Sequence, residues 1–372
     1  MCSRARRAEQ DFATLVSQLG SSLYFDDFLW RGHAALPDAL QSLTPGLRHW
    51  KGIPLLRRGF TRIADAPHGS TTFASQSRYL IDLAAASLFG KADCVLATDL
   101  EWPPYLAALT EYAKTRNKRI IIVEVMEDLL EGQLTEKQLI RRLSTAYDCN
   151  NCDGLFLSSI TYLGIRLPVE ELLQKLDRVL FSVVDAAQSF GQEPVSLQKL
   201  GCDMILGGTQ KWMRSGHPLR FAIVPQHRQG YMQLIQQAVD PHDPLRQLTS
   251  RFDNPEFGET IELVSLITSG ATLSNATKNQ TRQTLKHRVH NRQSLIDLLN
   301  PTTIASPSWT TEHSGILLTR IRSELEESPR SLLHQKGTVA SNFQQYLRLS
   351  MPSKPFTDTS LQQLVTSVSE VS

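Results

Sequence analysis

Phe181-Ser-Val-Val-Asp185-Ala-Ala-Gln188-Ser-Phe-Gly191, followed by Gly201-Cys-Asp203-Met-Ile-Leu-Gly-Gly-Thr-Gln-Lys211-Trp212, decides the fold. Leu180 to Val184 is a short apolar run that closes on Asp185. Met204-Ile205-Leu206 is another, and it leads through a Gly-Gly-Thr-Gln turn to Lys211. Apolar runs of this length, bounded by turn signals, read as fully buried strands. Working outward, Cys94–Thr98, Arg119–Val125, Gly154–Ser158 and Phe221–Val224 read the same way. Between them, Arg78–Leu88, Tyr105–Thr115 and Val169–Leu176 carry apolar residues at helical spacing. Strands alternating with helices require crossover connections, hence a mostly parallel sheet covered by helices on both faces. Ligands of such sheets bind outside the carboxyl ends of the strands. The polar clusters of this chain each follow a strand.

The remainder of the chain bounds the answer. At 372 residues with 41% hydrophobic composition, it suits a large domain plus a smaller one. We expect a large domain over 51–290, and a small one formed by 291–372 with the N-terminal helical segment 1–50. Phe12–Leu19 has helical spacing, Glu262–Leu299 reads as one long helix, and Gly315–Thr319 and Tyr346–Ser350 read as strands of a second layer. A formal net charge of +2 gives no bulk electrostatic reason for a nucleic-acid or membrane partner. Five dispersed cysteines suit a reducing cytoplasm rather than a disulfide framework. Cys149-Asn-Asn-Cys152 lacks the second ligand pair a zinc site needs, so no metal is expected. The basic N-terminus has no apolar run behind it, so no signal peptide is expected.

The Asp185-x-x-Gln188 pattern, the Cys202-Asp203 strand and the turn ending in Lys211 occur in family-like order and spacing. Together they resemble the class V aminotransferases, a group of pyridoxal 5′-phosphate (PLP) enzymes that includes the cysteine desulfurases. The resemblance implies an α/β fold-type-I PLP-transferase, its large domain a mostly parallel sheet between helices, with a smaller C-terminal α+β domain. The chemistry asks for these residue types. PLP bonds to a primary amine, which Lys211 offers, and such an amine reacts more readily when burial and nearby cations lower its pKa. PLP works as an electron sink while its ring nitrogen is protonated, and Asp185 is the anion to face it. Gln188 is implied near the ring oxygen.

Other positions follow from the same resemblance. Ser75, Gln76 and Ser77, ahead of a helix, are expected to cup the phosphate; Ser70-Thr71-Thr72 is the alternative placement, and a plain serine N-cap the alternative role. Trp102 suits stacking on the cofactor ring, or else is a core tryptophan. Thr161 stands where the family often has Asn, and Thr209 is expected to reach the phosphate. Gln210 departs from the family's His, and Ser215–Arg220 departs from its Gly-rich strand entry, which implies a remodelled pocket wall. Thr260 is implied to reach the phosphate of a neighbouring subunit, hence a homodimer. Arg348 in Tyr346-Leu-Arg-Leu-Ser350 is implied to bind the substrate carboxylate, a task suited to a guanidinium fork. No cysteine follows Cys202, so a cysteine persulfide route is not expected. The expected activity is an aminotransferase on an amino acid or amine. A β-eliminating C–S lyase, an epimerase and a degenerate binding protein are the alternatives.

Overall fold

The computed structural model describes residues 2–20, 26–238, 263–273, 276–305, 307–310, 313–321, 333, 340–343 and 345–371. Its main sheet is built from Ser70–Ala74 (β1), Cys94–Thr98 (β2), Arg119–Val123 (β3), Gly154–Ser158 (β4), Phe181–Asp185 (β5), Met204–Gly208 (β6) and Arg220–Val224 (β7). The spatial order is β1-β7-β6-β5-β4-β2-β3. Only β7 runs against the others; it pairs antiparallel with β1 on one side and β6 on the other. Strands β2, β4, β5 and β6 are buried at every position, because helices cover both faces. The register sets Ser158 beside Asp185 and Asp185 beside Leu206. The carboxyl ends of β4, β5 and β6 therefore lie side by side.

Local chemistry explains the elements around this sheet. Helix Ser77–Phe89 buries Leu80, Ile81, Leu83 to Phe89 against it. Helix Glu136–Cys149, which periodicity alone did not reveal, opens with a capping box between Thr135 and Gln138. Phe60, from helix Ile53–Ile63, has its ring 5.3 Å from Phe73 of β1 and 4.7 Å from Phe221 of β7, and Phe221 is 4.6 Å from Phe190. Four fully buried aromatic rings in mutual contact clamp one face of the sheet. Gly207 of β6 is required there, since a Cβ would come within 2.2 Å of the Phe221 ring.

A second sheet follows the order β8-β10-β9, with Ile316–Arg320 (β8), Ser341–Phe343 (β9) and Tyr346–Ser350 (β10) paired antiparallel. Its core joins Leu317, Leu347 and Leu349 to Leu295 and to Val368 and Val371 of the last helix. The two expected strands here are present. The single helix expected over Glu262–Leu299 is instead two, Val264–Leu273 and Lys278–Ile296; Glu262 itself lies outside the described residues. The second helix starts afresh because the Thr277 hydroxyl accepts the Gln280 N–H at 3.5 Å as an N-cap. The N-terminal helix Ser3–Leu19 packs on Val264–Leu273. Among the described residues, no helix is long and apolar enough to cross a membrane. Cys152 turns inward, its sulfur 3.4 Å from that of Cys94, while Cys149 is exposed.

The loop after β4 connects the two sheets. It is closed by the Thr161 N–H on the Ile165 carbonyl and the Gly164 N–H on the Thr161 carbonyl, both at 2.9 Å. Gly164 has φ +87°, and a Cβ there would lie 2.5 Å from Ile316 of β8. Gly164→Ala combines a left-handed backbone penalty of about 1–2 kcal/mol with overpacking of about 1–3 kcal/mol. We expect a loss of about 2–5 kcal/mol in urea unfolding. An unchanged midpoint would show that β8 does not press on this loop.

Candidate active site

A cavity of about 370 Å³ opens at the carboxyl ends of β4, β5 and β6, the position such a sheet reserves for a ligand. Ser77, Trp102, Asp185, Gln188, Lys211 and Arg348 all line it. These residues are widely separated in sequence and arrive from both sheets. Charge is unbalanced: Lys211, Arg220 and Arg348 face one carboxylate, Asp185, among the described lining residues.

Asp185 ends β5 and is 8% exposed; its carboxylate accepts the Ala187 N–H at 2.8 Å. Burial raises its pKa, and the charge of Lys211 opposes that rise. Lys211 is exposed along the cavity yet enclosed by protein elsewhere. That enclosure is the main cause lowering its pKa; Asp185 opposes it, and Arg348 and Arg220 lower it further. The turn that carries Lys211 is held from beneath by Thr209. The Thr209 hydroxyl lies 2.8 Å from that of Ser215, accepts from Ser269 at 3.0 Å and accepts the Leu219 N–H at 3.2 Å. Thr209 is fully buried and does not line the cavity.

One end of the cavity is built for an anion. Helix Ser77–Phe89 begins there, and its N-cap residue Gln76 supplies no side-chain cap to the first turn. Tyr105 hydrogen-bonds Ser77 and feels the charges of Asp185 and Arg220. Arg220 reaches this end because antiparallel pairing sets it between Ala74 and Gly208. Its guanidinium donates to Gln210 at 2.6 Å. The two departures noted in the sequence, Gln210 and Arg220, are thus partners in one wall.

At the other end Arg348 projects from β10, which sets it beside Leu318 and Ser341. Its Nε is buried without a hydrogen-bond partner, and burial pushes its pKa down to about 10. At neutral pH it is a charged, half-buried donor aimed into the cavity. Trp102, 39% exposed, stands at the mouth with its ring edge-on to Tyr162, centroids 5.4 Å apart. Gln188 accepts the Trp212 indole N–H at 3.0 Å.

Some expected residues lie elsewhere. Ser75 and Gln76 are exposed and do not line the cavity; Ser77 alone of the three does. The Thr161 hydroxyl accepts the Ile165 N–H at 3.2 Å inside its own loop, while its neighbours Ile160 and Tyr162 line the cavity. Thr260 lies outside the described residues. Tyr105, Ser158 and Tyr162 line the cavity although the motifs did not single them out. Ser158 was within reach of sequence reasoning, since it ends the strand beside Asp185. Among the described residues, no group of three or more metal-ligating side chains forms. A lysine amine, a buried facing carboxylate, an open helix N-terminus and an aromatic at the mouth are the parts that PLP needs, and they fit it.

Residues 56–219 match the family model described as Aminotransferase class-V. The L-cysteine desulfhydrase-like protein lolT1 of Epichloe uncinata is 26% identical over 154 residues, 40% of this chain. The match spans a third of that relative's length, 33%. Among solved structures, the cystine C–S lyase C-DES in complex with cysteine persulfide matches with a TM-score of 0.70 at 13% identity, covering 100% of this chain and 95% of the other. A cysteine desulfurase from Thermococcus onnurineus NA1 gives 0.66 at 13% identity, covering 86% and 83%. A ureidoglycine–glyoxylate aminotransferase from Bacillus subtilis gives 0.63 at 14% identity, also covering 86% and 83%. These likenesses show a shared fold, the fold-type-I architecture expected from the sequence.

Glu101 sits directly behind the cavity wall, fully buried, paired with the hydroxyls of Thr98 at 2.9 Å and Ser158 at 2.5 Å. Burial raises its pKa to about 8; those hydroxyls oppose the rise and Asp185 adds to it. At neutral pH it is protonated, which spares the site a second negative charge. The unfolded chain releases this proton near pH 4.5, whereas the folded one keeps it to about pH 8. Stability therefore falls as pH rises across that window and levels off above it. Glu101→Gln does not titrate, so its Tm relative to wild type should rise from pH 4.5 to 8 and then stay flat. A Tm difference that is constant with pH would contradict a proton on Glu101.

Proposed function

We propose, from a chain whose residues 56–219 match the class-V aminotransferase family, that this protein is a PLP-dependent enzyme acting on the amino group of an amino acid. The observation that carries the reading is one cavity in which the Lys211 amine, the buried Asp185 carboxylate and the Arg348 guanidinium, its Nε without a partner, converge. Lys211 would hold the cofactor through its amine. Asp185 would face the ring nitrogen, and Ser77, Tyr105, Arg220 and the open helix N-terminus would face the phosphate. When bound, PLP supplies an electron sink for the substrate's Cα.

The chain's own residues supply the rest. Arg348 binds the α-carboxylate, since a half-buried guanidinium with an unpartnered Nε gains from a charge-assisted pair. That contact orients the substrate so that one Cα bond faces Lys211. Burial shifts the Lys211 pKa downward, the direction that eases its taking the Cα proton and returning it. Trp102 and Tyr162 limit water at the mouth. Glu101, neutral behind the wall, leaves Asp185 as the anion that the site presents.

Amino-group transfer is the primary reading, and the cation excess of the cavity suits the carboxylates it would exchange. β-Elimination is the second. It is favoured by the likeness to a protein named for cysteine desulfhydrase activity. Both begin with removal of the same proton. A persulfide carried on cysteine is not part of either reading, because none of the five cysteines lines the cavity. A cytoplasmic homodimer, with Thr260 contributed to the neighbouring subunit, belongs to the same reading.

Two variants test the proposal. Purified holoenzyme should absorb in the visible range; Asp185→Asn should keep that absorbance and lose most turnover. Arg348→Ala should mainly raise KM. Loss of a charge-assisted contact at a partly buried site costs about 2–5 kcal/mol, or roughly thirty-fold to several-thousand-fold. A colourless protein, or an Arg348→Ala variant with unchanged KM and kcat, would contradict it.

A further inference from the structure

A second cavity of about 310 Å³ meets the first at Lys211, which lines both. Its wall carries Arg214, Arg288 and Lys354 besides Lys211, and no carboxylate among the described lining residues. Arg288 is the central feature. It comes from helix Lys278–Ile296 and is only 2% exposed. Its guanidinium lies over the Trp212 ring, 4.5 Å from the centroid, and among the described residues makes one long hydrogen bond, 3.5 Å, to the Gly191 carbonyl. Its Nε is buried with no partner. Burial, helped by the charge of Arg214, pushes its pKa down to about 10. At neutral pH this remains a buried cation with no counter-ion among the described residues, an arrangement that is unfavourable until an anion pairs with it.

The wall is held in place by neutral contacts. Arg214 donates to the Ser353 hydroxyl at 2.8 Å. Asn291, one turn along from Arg288, donates to the carbonyls of Pro352 at 3.1 Å and Lys354 at 2.7 Å. The segment Met351–Lys354 directly continues β10, the strand that carries Arg348. Trp212 forms the shared partition, with Arg288 on its face and its indole N–H on Gln188 of the first cavity.

We propose that this cavity is a second anion subsite, which takes an acidic group on the substrate's side chain while Arg348 holds the α-carboxylate. The substrate class is then amino acids with an anionic side chain. The inference rests on the function proposed above, because it is the action of Lys211 at Cα that places the substrate's side chain at the junction of the two cavities. Discrimination follows from the same physics. A neutral side chain leaves Arg288 unpaired, and a site built around a buried polar group rejects ligands that fail to satisfy it.

The test is calorimetric titration of holoenzyme with two acid–amide pairs, L-aspartate against L-asparagine and L-glutamate against L-glutamine. It is run on wild type, on the Arg214→Gln, Lys354→Gln double variant, which spares the packed Arg288, and on the triple variant that adds Arg288→Gln. Wild type should bind the acid of at least one pair at least tenfold more tightly than its amide. The double variant should lose at least tenfold for that acid and keep its affinity for the amide. Equal affinity within both pairs, or an acid preference that survives in both the double and the triple variant, overturns the subsite alone. A colourless protein that binds none of the four amino acids overturns the proposed function and the subsite with it.

Discussion

Asp185 is a carboxylate that the sheet does not allow to leave the interior, and most of the site is arranged around that charge. It ends the middle strand of a seven-stranded sheet, with Ser158 on one side and Leu206 on the other. Its position is locked from the far end of the same strand pair. There Asp203 accepts the Ser182 N–H at 2.8 Å and hydroxyl at 3.0 Å, and is itself held by Arg228 at 2.6 Å. A slip of one residue between β5 and β6 would break all of these contacts and turn Asp185 away from the cavity. The Thr209 hydroxyl then fixes the turn that brings Lys211 to the same place.

The electrostatics follow from that placement. Desolvation favours the neutral form of Asp185, and the ammonium of Lys211 works against it. A second charged carboxylate nearby would raise the cost, and Glu101 avoids this by keeping its proton behind the wall. Cations exceed anions in both cavities that meet at Lys211. At these cavities Arg348 and Arg288 each keep a buried nitrogen without a partner, as Arg57 and Arg292 do elsewhere in the core. A protein that holds unpaired cations out of water is shaped for anionic ligands.

The sheet was largely legible in the sequence because buried parallel strands are apolar along their whole length and end where the polar residues begin. Strands β2, β4 and β5 and both expected strands of the small sheet are where the apolar runs placed them. β1 was missed because Thr71 and Thr72 make it look like a polar loop, although both are buried. Asp185, Lys211 and Arg348 were singled out by the resemblance their motifs carry, and the fold brings all three to one cavity. Hydroxyl partners were not legible. Thr209 and Thr161 were expected to face the cofactor, but neither lines the cavity: their hydroxyls bond within the protein, to partners such as Ser269 that no local pattern reveals. Gln210 and Arg220 read as two separate departures, and only the hairpin-like return of β7 beside β6 shows them to be a pair. The broken helix turned on a single cap at Thr277.

The central claim is that Lys211, and no other lysine, holds PLP opposite Asp185. Holoenzyme reduced with borohydride, digested and mapped by mass spectrometry tests it most directly, because reduction makes the attachment permanent. The account predicts a pyridoxyl group on Lys211 and its absence in Lys211→Ala. A pyridoxyl group on a different lysine, or an equal yield in the variant, would contradict it.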